Sequence, residues 1–529
     1  MQKFMLLILL SVLTNVTIQA QQGKGPAMVT WGESIKEPSG SFISKVIASG
    51  KYGFYALRQK REGAFSGERA YAEFYDSAMR LQRSTKLELK YKGKVREFED
   101  LVMVGGRLYL LTSFNNRAKR KNYLFRQEVD KKSLQPNAKL KKMGEIDSRD
   151  EYRDGAFSLV VSSDSSKVLV HSQLPYERRQ PERFAFQVYD QEFNTLWKKD
   201  IALPYSDGSF TVEEYQVDDQ GNVYLLGIIY SDSRMERGGS PTYQYTILAY
   251  RNNGEDFQEY RIALDDKFIT DLTFRIDRKG ELVCTGFYSD RGVRSVKGTY
   301  YLKIDPQSQA VSSQNLMAFE FDFLTETLSD RKKARAMEAQ REGDTDRTPE
   351  LYRFSLDKLI LRSDGGALLV AEQFYRYERV WRTWDGLLQT DFFYHYNDLI
   401  VVNIRPDGTI EWATRIPKRQ ETVNDGGYYS SYAMSIVRDK IYFIFNDNPR
   451  NFNPDSNRLY NYNGKSSVIA LVELRKDGEY SAFPLFNNRD ADVVTRPIIC
   501  KQIGSRKMMI YGEWGSRYRF GTLEFLNRL

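Results

Sequence analysis

The stretch "EEYQVDDQGNVYLLGIIYS", Glu213 to Ser231, decides the fold. It is a strand, a tight turn at Asp219 to Asn222, and a second, almost continuously apolar strand. A loop follows, "DSRMERGGSPT", then a third strand "YQYTILAY", a turn "RNNGE" and a fourth strand "DFQEYRIAL". Short apolar runs punctuated by Asp, Asn and Gly are the signature of antiparallel strands. Asp suits such turns because its carboxylate caps its own backbone, and Gly because it accepts positive φ.

The same grammar returns with other residues. First turns include "VGGRLYLLTSF", "DRKGELVCTGF", "RSDGGALLVAE" and "VRDKIYFIF". Third strands running into a turn include "AEFYDSA", "FQVYDQE", "YYLKIDPQ", "VVNIRPDGT" and "ALVELRKDGE". Eight units start near Phe42, Glu97, Phe157, Val212, Ile269, Tyr352, Ser431 and Thr495. Their spacing, mostly about 50 to 65 residues, suits four-stranded propeller blades. The last unit has only three strands, "TRPIICKQIG", "KMMIYGEWG" and "GTLEFLNRL".

The missing strand is expected at the other end of the chain. Trp31/Ile35/Pro38, a Trp followed four residues later by Ile and then by Pro, matches two fourth strands, Trp197/Ile201/Pro204 and Trp412/Ile416/Pro417. Pairing the two ends would close the ring and remove an open sheet edge. The predicted fold is all-β: one eight-bladed β-propeller over residues 27–529, with seven blades as the alternative count. One segment departs from it. "LTETLSDRKKARAMEAQREGD" is rich in Ala, Glu, Arg and Lys, and predicts a solvated helix ending at Gly343 within an insertion at 322–350, between blades five and six.

Residues 1–20 read as a secretory signal peptide, with Lys3 as the positive region, an apolar "FMLLILLSVL" and cleavage after Ala20; residues 21–26 are a linker. No cysteine near that junction offers a lipid anchor, and no later segment reads as a transmembrane span. The predicted location is exported, periplasmic or extracellular, with outer-membrane association as one option. Two cysteines in 529 residues, Cys284 and Cys500, do not make a disulfide framework. The net charge of +8 is uneven: between Arg80 and Lys142, 18 Lys and Arg stand against 6 Asp and Glu. Export argues against nucleic acid as the partner; an envelope protein or an anionic glycan fits the charge.

The turn-and-strand pieces resemble those of secreted bacterial β-propeller repeat proteins. The run "DGGALLVAEQFY … FYHYNDLIVVNIRPDGTIEWATRIPKRQ", with "IYFIFNDNP" after it, is similar to an uncharacterised family of exported proteins from Gram-negative bacteria, clearly over residues 320–460 and loosely elsewhere. The resemblance implies export and brings no known activity.

Function is expected in the loops between second and third strands, because binding residues concentrate on loops held by a rigid scaffold. All eight of these loops carry arginine: "RQKREGAFSGERA", "NNRAKRKN", "PYERRQPER", "SDSRMERGGSP", "SDRGVRSVKG", "YRYERVWRTW", "NPRNFNPDSNR" and "EWGSRYR". The sixth belongs to "YRYERVWRTWDGLLQTDFFYHYND", residues 375–398, which reads as an enlarged hairpin. Arg, Trp and Tyr together are the residue types of interface hot spots, and they also suit sugar rings and anionic groups. The predicted binding residues are Trp381, Trp384, Tyr394 and Arg382 on the hairpin, with Arg117, Arg120 and Arg179, all on one face of the disc.

Catalysis has weak support in the residues. The two histidines are His171 in a strand and His395 in the hairpin. There is no serine-hydrolase elbow, no Cys/His cluster for zinc, and "VDDQGN" lacks the calcium-loop spacing. Paired adjacent cysteines of the kind quinone-dependent propeller dehydrogenases carry are missing, and so are sialidase boxes. The expectation is a non-catalytic binding or scaffold protein of the cell envelope, without catalytic residues, metal or cofactor. The alternative is a hydrolase or lyase acting on anionic polysaccharide.

Overall fold

A computed structural model describes residues 20–526 apart from 22–25, 61–68, 149–154, 176–179, 207, 231–241, 327, 345–346, 385–386 and 457. The expected signal peptide lies almost wholly outside the described residues. The chain is nearly all β, folded as small antiparallel sheets, most of them of four strands. The first seven sheets open with the strands Ser41–Gly50, Glu97–Val104, Ala156–Val161, Phe210–Val217, Phe268–Ile276, Phe354–Leu361 and Ala433–Val437. These fall within two residues of the unit starts read from the repeat.

Neighbouring sheets pack face to face, and alternate residues of one strand serve different neighbours. In sheet four, Val223 and Leu225 join sheet three, while Tyr224 and Leu226 join sheet five. That explains why the second strands read as unbroken apolar runs: both faces are covered. Leu282–Ser289 is buried at every position. Each buried apolar cluster combines two consecutive sheets, and one of them joins Met509 and Tyr511 of the last sheet to Phe54 and Tyr75 of the first. The sheets therefore pack around a closed cycle, the arrangement of a β-propeller.

The turns behave as the Asp/Gly pattern predicts. Asp218 Oδ1 accepts the backbone N–H groups of Gln220 and Asn222, and Asp277 Oδ1 those of Lys279 and Glu281. Gly221 and Gly280 sit at φ of 90° and 81°, where a side chain would be strained.

Closure uses both chain ends. Ala27–Trp31 pairs antiparallel with Arg517–Phe525, from Ala27 opposite Phe525 to Trp31 opposite Gly521. The triplet thus marked the right strand, although its tryptophan does a different job. Trp197 and Trp412 donate to backbone carbonyls in a turn of the following sheet, at Gly221 and Lys476, both 2.9 Å. Trp31 instead meets the Phe486 ring edge-on in the preceding sheet, 5.5 Å between centroids. The first strand of the last sheet is also interrupted: Pro497 lacks an N–H and starts a 3-10 turn, Pro497–Ile499, between Val494–Thr495 and Lys501–Gly504.

A buried ionic knot ties this seam. The Arg58 Nε of sheet one donates to Glu73 Oε1 at 2.7 Å, and its guanidinium also meets Glu37 and lies 4.7 Å from the Tyr518 ring centre. Glu37 follows the closing strand and Tyr518 lies in the last one, so one cation holds three parts of the seam. Burial works to lower the Arg58 pKa, but the Glu73 carboxylate outweighs it and holds the guanidinium above its ordinary value.

The insertion is helical but divided. A short helix α1, Phe321–Thr325, precedes α2, Asp330–Glu342, which ends at Gly343 with φ 68°. Ala336 and Ala339 are buried, so α2 packs one face while its charges remain outside. No helix among the described residues is long and apolar enough to cross a membrane. Cys284 lies buried in sheet five, Cys500 half-buried in sheet eight, and both are free thiols that burial pushes up to about 12.

Candidate functional site

In an antiparallel sheet the second-to-third loop and the exit of the fourth strand emerge on the same side. The hairpin, the helical insertion and the long loops therefore share one face. Sheet six supplies the largest structure there. Its second and third strands, Ala367–Arg382 and Leu388–Ile404, are 16 and 17 residues long, about twice the length the sheet needs. Pairing runs from Ala367 opposite Ile404 out to Arg382 opposite Leu388, with a bulge between Glu372 and Phe374 where the arm leaves the sheet. Glu421–Val423 adds a third strand beside Phe393–His395.

The period of two divides the aromatic residues between the faces of this arm. On one face Tyr375 stacks on His395 at 4.3 Å and Tyr377 on Phe393 at 4.6 Å, nearly parallel. On the other, Phe374 lies against Tyr396 and Arg376 over Phe392. Near the tip the Trp381 indole N–H donates to Asp391 Oδ2 at 2.7 Å, and Asn424 bridges Asp391 and the Phe392 N–H. The base is thus stiffened by its own rings, and the tip is left open. Trp384 is fully exposed, and Val380, Leu387 and Leu388 are each more than half exposed.

The structure brings only some of the predicted binding residues together. Trp381 and Arg382 are neighbours on opposite faces of the arm. Tyr394, opposite Arg376, shares the face of Arg382 and is half-buried. Arg117 and Arg120 lie exposed in the turn that follows Arg107–Asn116, the second strand of sheet two. They share the hairpin's side of the disc. Sheet two packs on sheets one and three and sheet six on sheets five and seven, so these arginines and the hairpin form separate patches. Arg179 lies outside the described residues. Both histidines pack: the Tyr215 hydroxyl lies 2.8 Å from His171 Nε2, and burial lowers His171 to about 3. Burial also lowers His395, partly opposed by Glu421.

At the base of the arm a cavity of about 860 Å³ opens between sheets six and seven. Its floor is a set of buried charges that sequence reasoning missed. Lys418, with no exposed side chain, donates to Glu372 Oε1 at 2.6 Å, the Tyr396 carbonyl at 2.7 Å and Gln420 Oε1 at 3.0 Å. Arg415 Nε donates to Asp398 Oδ2 at 2.8 Å, and the Lys418 backbone N–H to Asp398 Oδ1. Ser431 Oγ donates to Glu372 Oε2. A signal existed: Glu372 interrupts the apolar run "ALLVAEQF", and the polar "ND" and "KRQ" stand at the strand ends of "HYNDLIVV" and "RIPKRQ". Which acid meets which base is a matter of register across four strands, and no spacing rule supplies it.

Asp447, the last residue of Lys440–Asp447 in sheet seven, also lines this cavity and is 5% exposed. Burial raises its carboxyl from 3.8 to about 6, against the Asn451 amide, the Asn448 N–H and the Lys418 charge, which pull it down. A raised carboxyl stabilises the fold least when ionised. The penalty is absent below the unfolded value of 3.8, grows as pH rises, and is complete above about 6. Asp447→Asn should therefore match the wild type in stability near pH 4 and exceed it by about 2–3 kcal/mol at pH 8. Urea unfolding across that range checks this, and a pH-independent difference would contradict it. Among the described residues no three His, Cys, Asp or Glu side chains gather as a metal site.

No family model matches the chain, and no curated protein matches its sequence. Similar solved structures include a protein of unknown function from Bacteroides caccae, 9% identical over 69% of this chain and 94% of that one, with a TM-score of 0.28. The propeller domain of the trilobed protease from Pyrococcus furiosus is 10% identical over 84% and 97%, TM-score 0.33. An ulvan lyase of polysaccharide lyase family PL25 is 8% identical over 92% and 95%, TM-score 0.33.

Proposed function

We propose that this chain is an exported, non-catalytic binding or scaffold protein of the bacterial cell envelope, of the Gram-negative family that its central segment resembles. In this reading residues 27–529 form a single propeller of eight blades, the partner is an envelope protein or an anionic glycan, and the hairpin is the docking element. The observation that carries it is the arm itself. Its base is rigid, yet its tip holds a fully exposed indole beside Val380, Leu387 and Leu388, with Trp381 and Arg382 alongside. Rigid aromatic anchors supply contact area at little entropic cost.

The test is capture from envelope extracts by the mature chain, with and without Trp381→Ala/Trp384→Ala. The double variant should lose about 2 kcal/mol of partner binding. Its stability should change by no more than about 0.5 kcal/mol, as for surface positions. Unchanged capture, or a clear loss of stability, would overturn the docking reading.

A second reading, a glycan-active enzyme, draws on one feature. Asp447, with its raised carboxyl, shares a cavity with Asp398, which is ion-paired to Arg415, and such pairs divide acid and base roles. Release of reducing ends or unsaturated uronates from anionic polysaccharides would favour it, and loss of that release in Asp447→Asn would assign it to this cavity.

A further inference from the structure

The cavity between sheets six and seven has two polar groups without a hydrogen-bond partner among the described residues. Asp447 Oδ1 accepts from the Asn448 N–H at 2.8 Å and from Asn451 Nδ2 at 2.7 Å, whereas Oδ2 takes no hydrogen bond among the described residues. Asn397 accepts the Gln420 N–H on its Oδ1 at 3.1 Å, which fixes the amide orientation. Its Nδ2 then has no acceptor among the described residues. Both side chains line the cavity and both are at least nine-tenths buried, with exposures of 5% and 9%. The open acceptor and the open donor both belong to largely buried side chains that line the cavity, so both are placed to take a hydrogen bond from whatever enters it.

The remaining lining narrows the occupant. Arg415 is paired with Asp398, Lys418 with Glu372 and Arg419 with Glu421. Among the described residues an anion thus finds no unpaired cation on the floor. A cation would meet the Lys418 charge close to Asp447, since the two interact electrostatically. Phe452 and Tyr480 contribute half-buried ring surface, and the Arg458 guanidinium lies over the Tyr460 ring, 4.3 Å from its centre, at the rim. The volume falls within the roughly 300–1,000 Å³ of small-ligand sites.

We propose that this cavity binds the neutral, hydroxyl-bearing end of a saccharide, with Asp447 Oδ2 accepting from one hydroxyl and Asn397 Nδ2 donating to another. A hydroxyl both donates and accepts, so the hydroxyls of a sugar match both the open acceptor and the open donor. Asn451 positions Asp447: its amide N–H groups go to Asp447 Oδ1 and to the Tyr460 carbonyl at 3.0 Å, and its oxygen accepts the Tyr460 N–H at 2.7 Å, so it has no donor left for ligand. This inference stands apart from the docking role of the hairpin.

The experiment is calorimetric titration of the mature chain with a panel of neutral gluco-, manno-, galacto- and xylo-oligosaccharides and one uronate oligosaccharide. Four proteins are compared: wild type, Asp447→Asn, Asn397→Ala and Trp384→Ala. In Asp447→Asn the two donors at Oδ1 keep the amide oxygen in place, so an N–H replaces the open acceptor without a change of shape. At least one neutral oligosaccharide should bind saturably to wild type and to Trp384→Ala. Its affinity should fall at least tenfold in Asp447→Asn and Asn397→Ala. Since Asp447→Asn is expected to be the more stable protein above pH 6, unfolding cannot produce that loss. No binding by any neutral member, binding of the uronate alone, or equal affinity in Asp447→Asn would each overturn the proposal. Loss of saccharide binding in Trp384→Ala would move the ligand to the hairpin tip and overturn it as well.

Discussion

A chain lacking residues 27–38 should be less stable by at least about 5 kcal/mol, through several losses on one short segment. Val29 and Trp31 leave the cluster shared by the last two sheets, at roughly 1.5–3 kcal/mol for each buried large side chain. The ladder from Ala27 to Trp31 disappears and uncovers Arg517–Phe525 as an open edge. Glu37 is removed from Arg58, a guanidinium 1% exposed, which keeps Glu73 but loses its second carboxylate. Buried charges deprived of a partner are costly beyond the contact itself. The measurement is urea unfolding of the chain with and without residues 27–38, with light scattering alongside, because an uncovered edge invites pairing between molecules. An unchanged midpoint with a monomeric shortened chain would sink the role assigned to this strand.

The second large effect is expected at Lys418. Lys418→Met keeps most of the stem volume and removes the ammonium. Glu372 is then left 7% exposed, with Ser431 as its remaining hydrogen-bond donor among the described residues. Breaking a buried pair from one side costs about 3–5 kcal/mol, since the other charge stays behind. Adding Glu372→Gln should recover part of that loss, and the double-mutant cycle should show coupling of at least about 1.5 kcal/mol. Additive effects, or a single variant within about 1 kcal/mol of wild type, would mean that Lys418 ionisation contributes little to holding sheet six to the links at Gln420 and Ser431.

The sheets and their order were legible because each strand type leaves its own pattern. A second strand covered on both faces is apolar throughout, as in "VYLLGIIY", and the turns that bound it need Asp or Gly. The hairpin was legible too, as a long polar-aromatic run with no turn chemistry except "WDG" in its middle. The partition of its side chains was not. Trp381 and Arg382 look like one patch in the sequence, but a strand alternates its side chains, so neighbours face apart. The same holds for Arg117 and Arg120, which share loop type with the hairpin. The distance around the ring separates them.

The sequence by itself determined the all-β class, the repeat, the strand that closes the ring and the loop that becomes an arm. All of these rest on local rules: period two, turn residues, and a strand missing from one end and present at the other. The tertiary structure alone decided where Lys418 meets Glu372, Arg415 meets Asp398, and Asp447 and Asn397 line one cavity. Those contacts join residues 17 to 50 apart, set by the register of paired strands and the packing of one sheet on the next. A one-residue slip would turn each side chain to the other face. Residue type states what a charge can do, and only register and packing state which partner it finds.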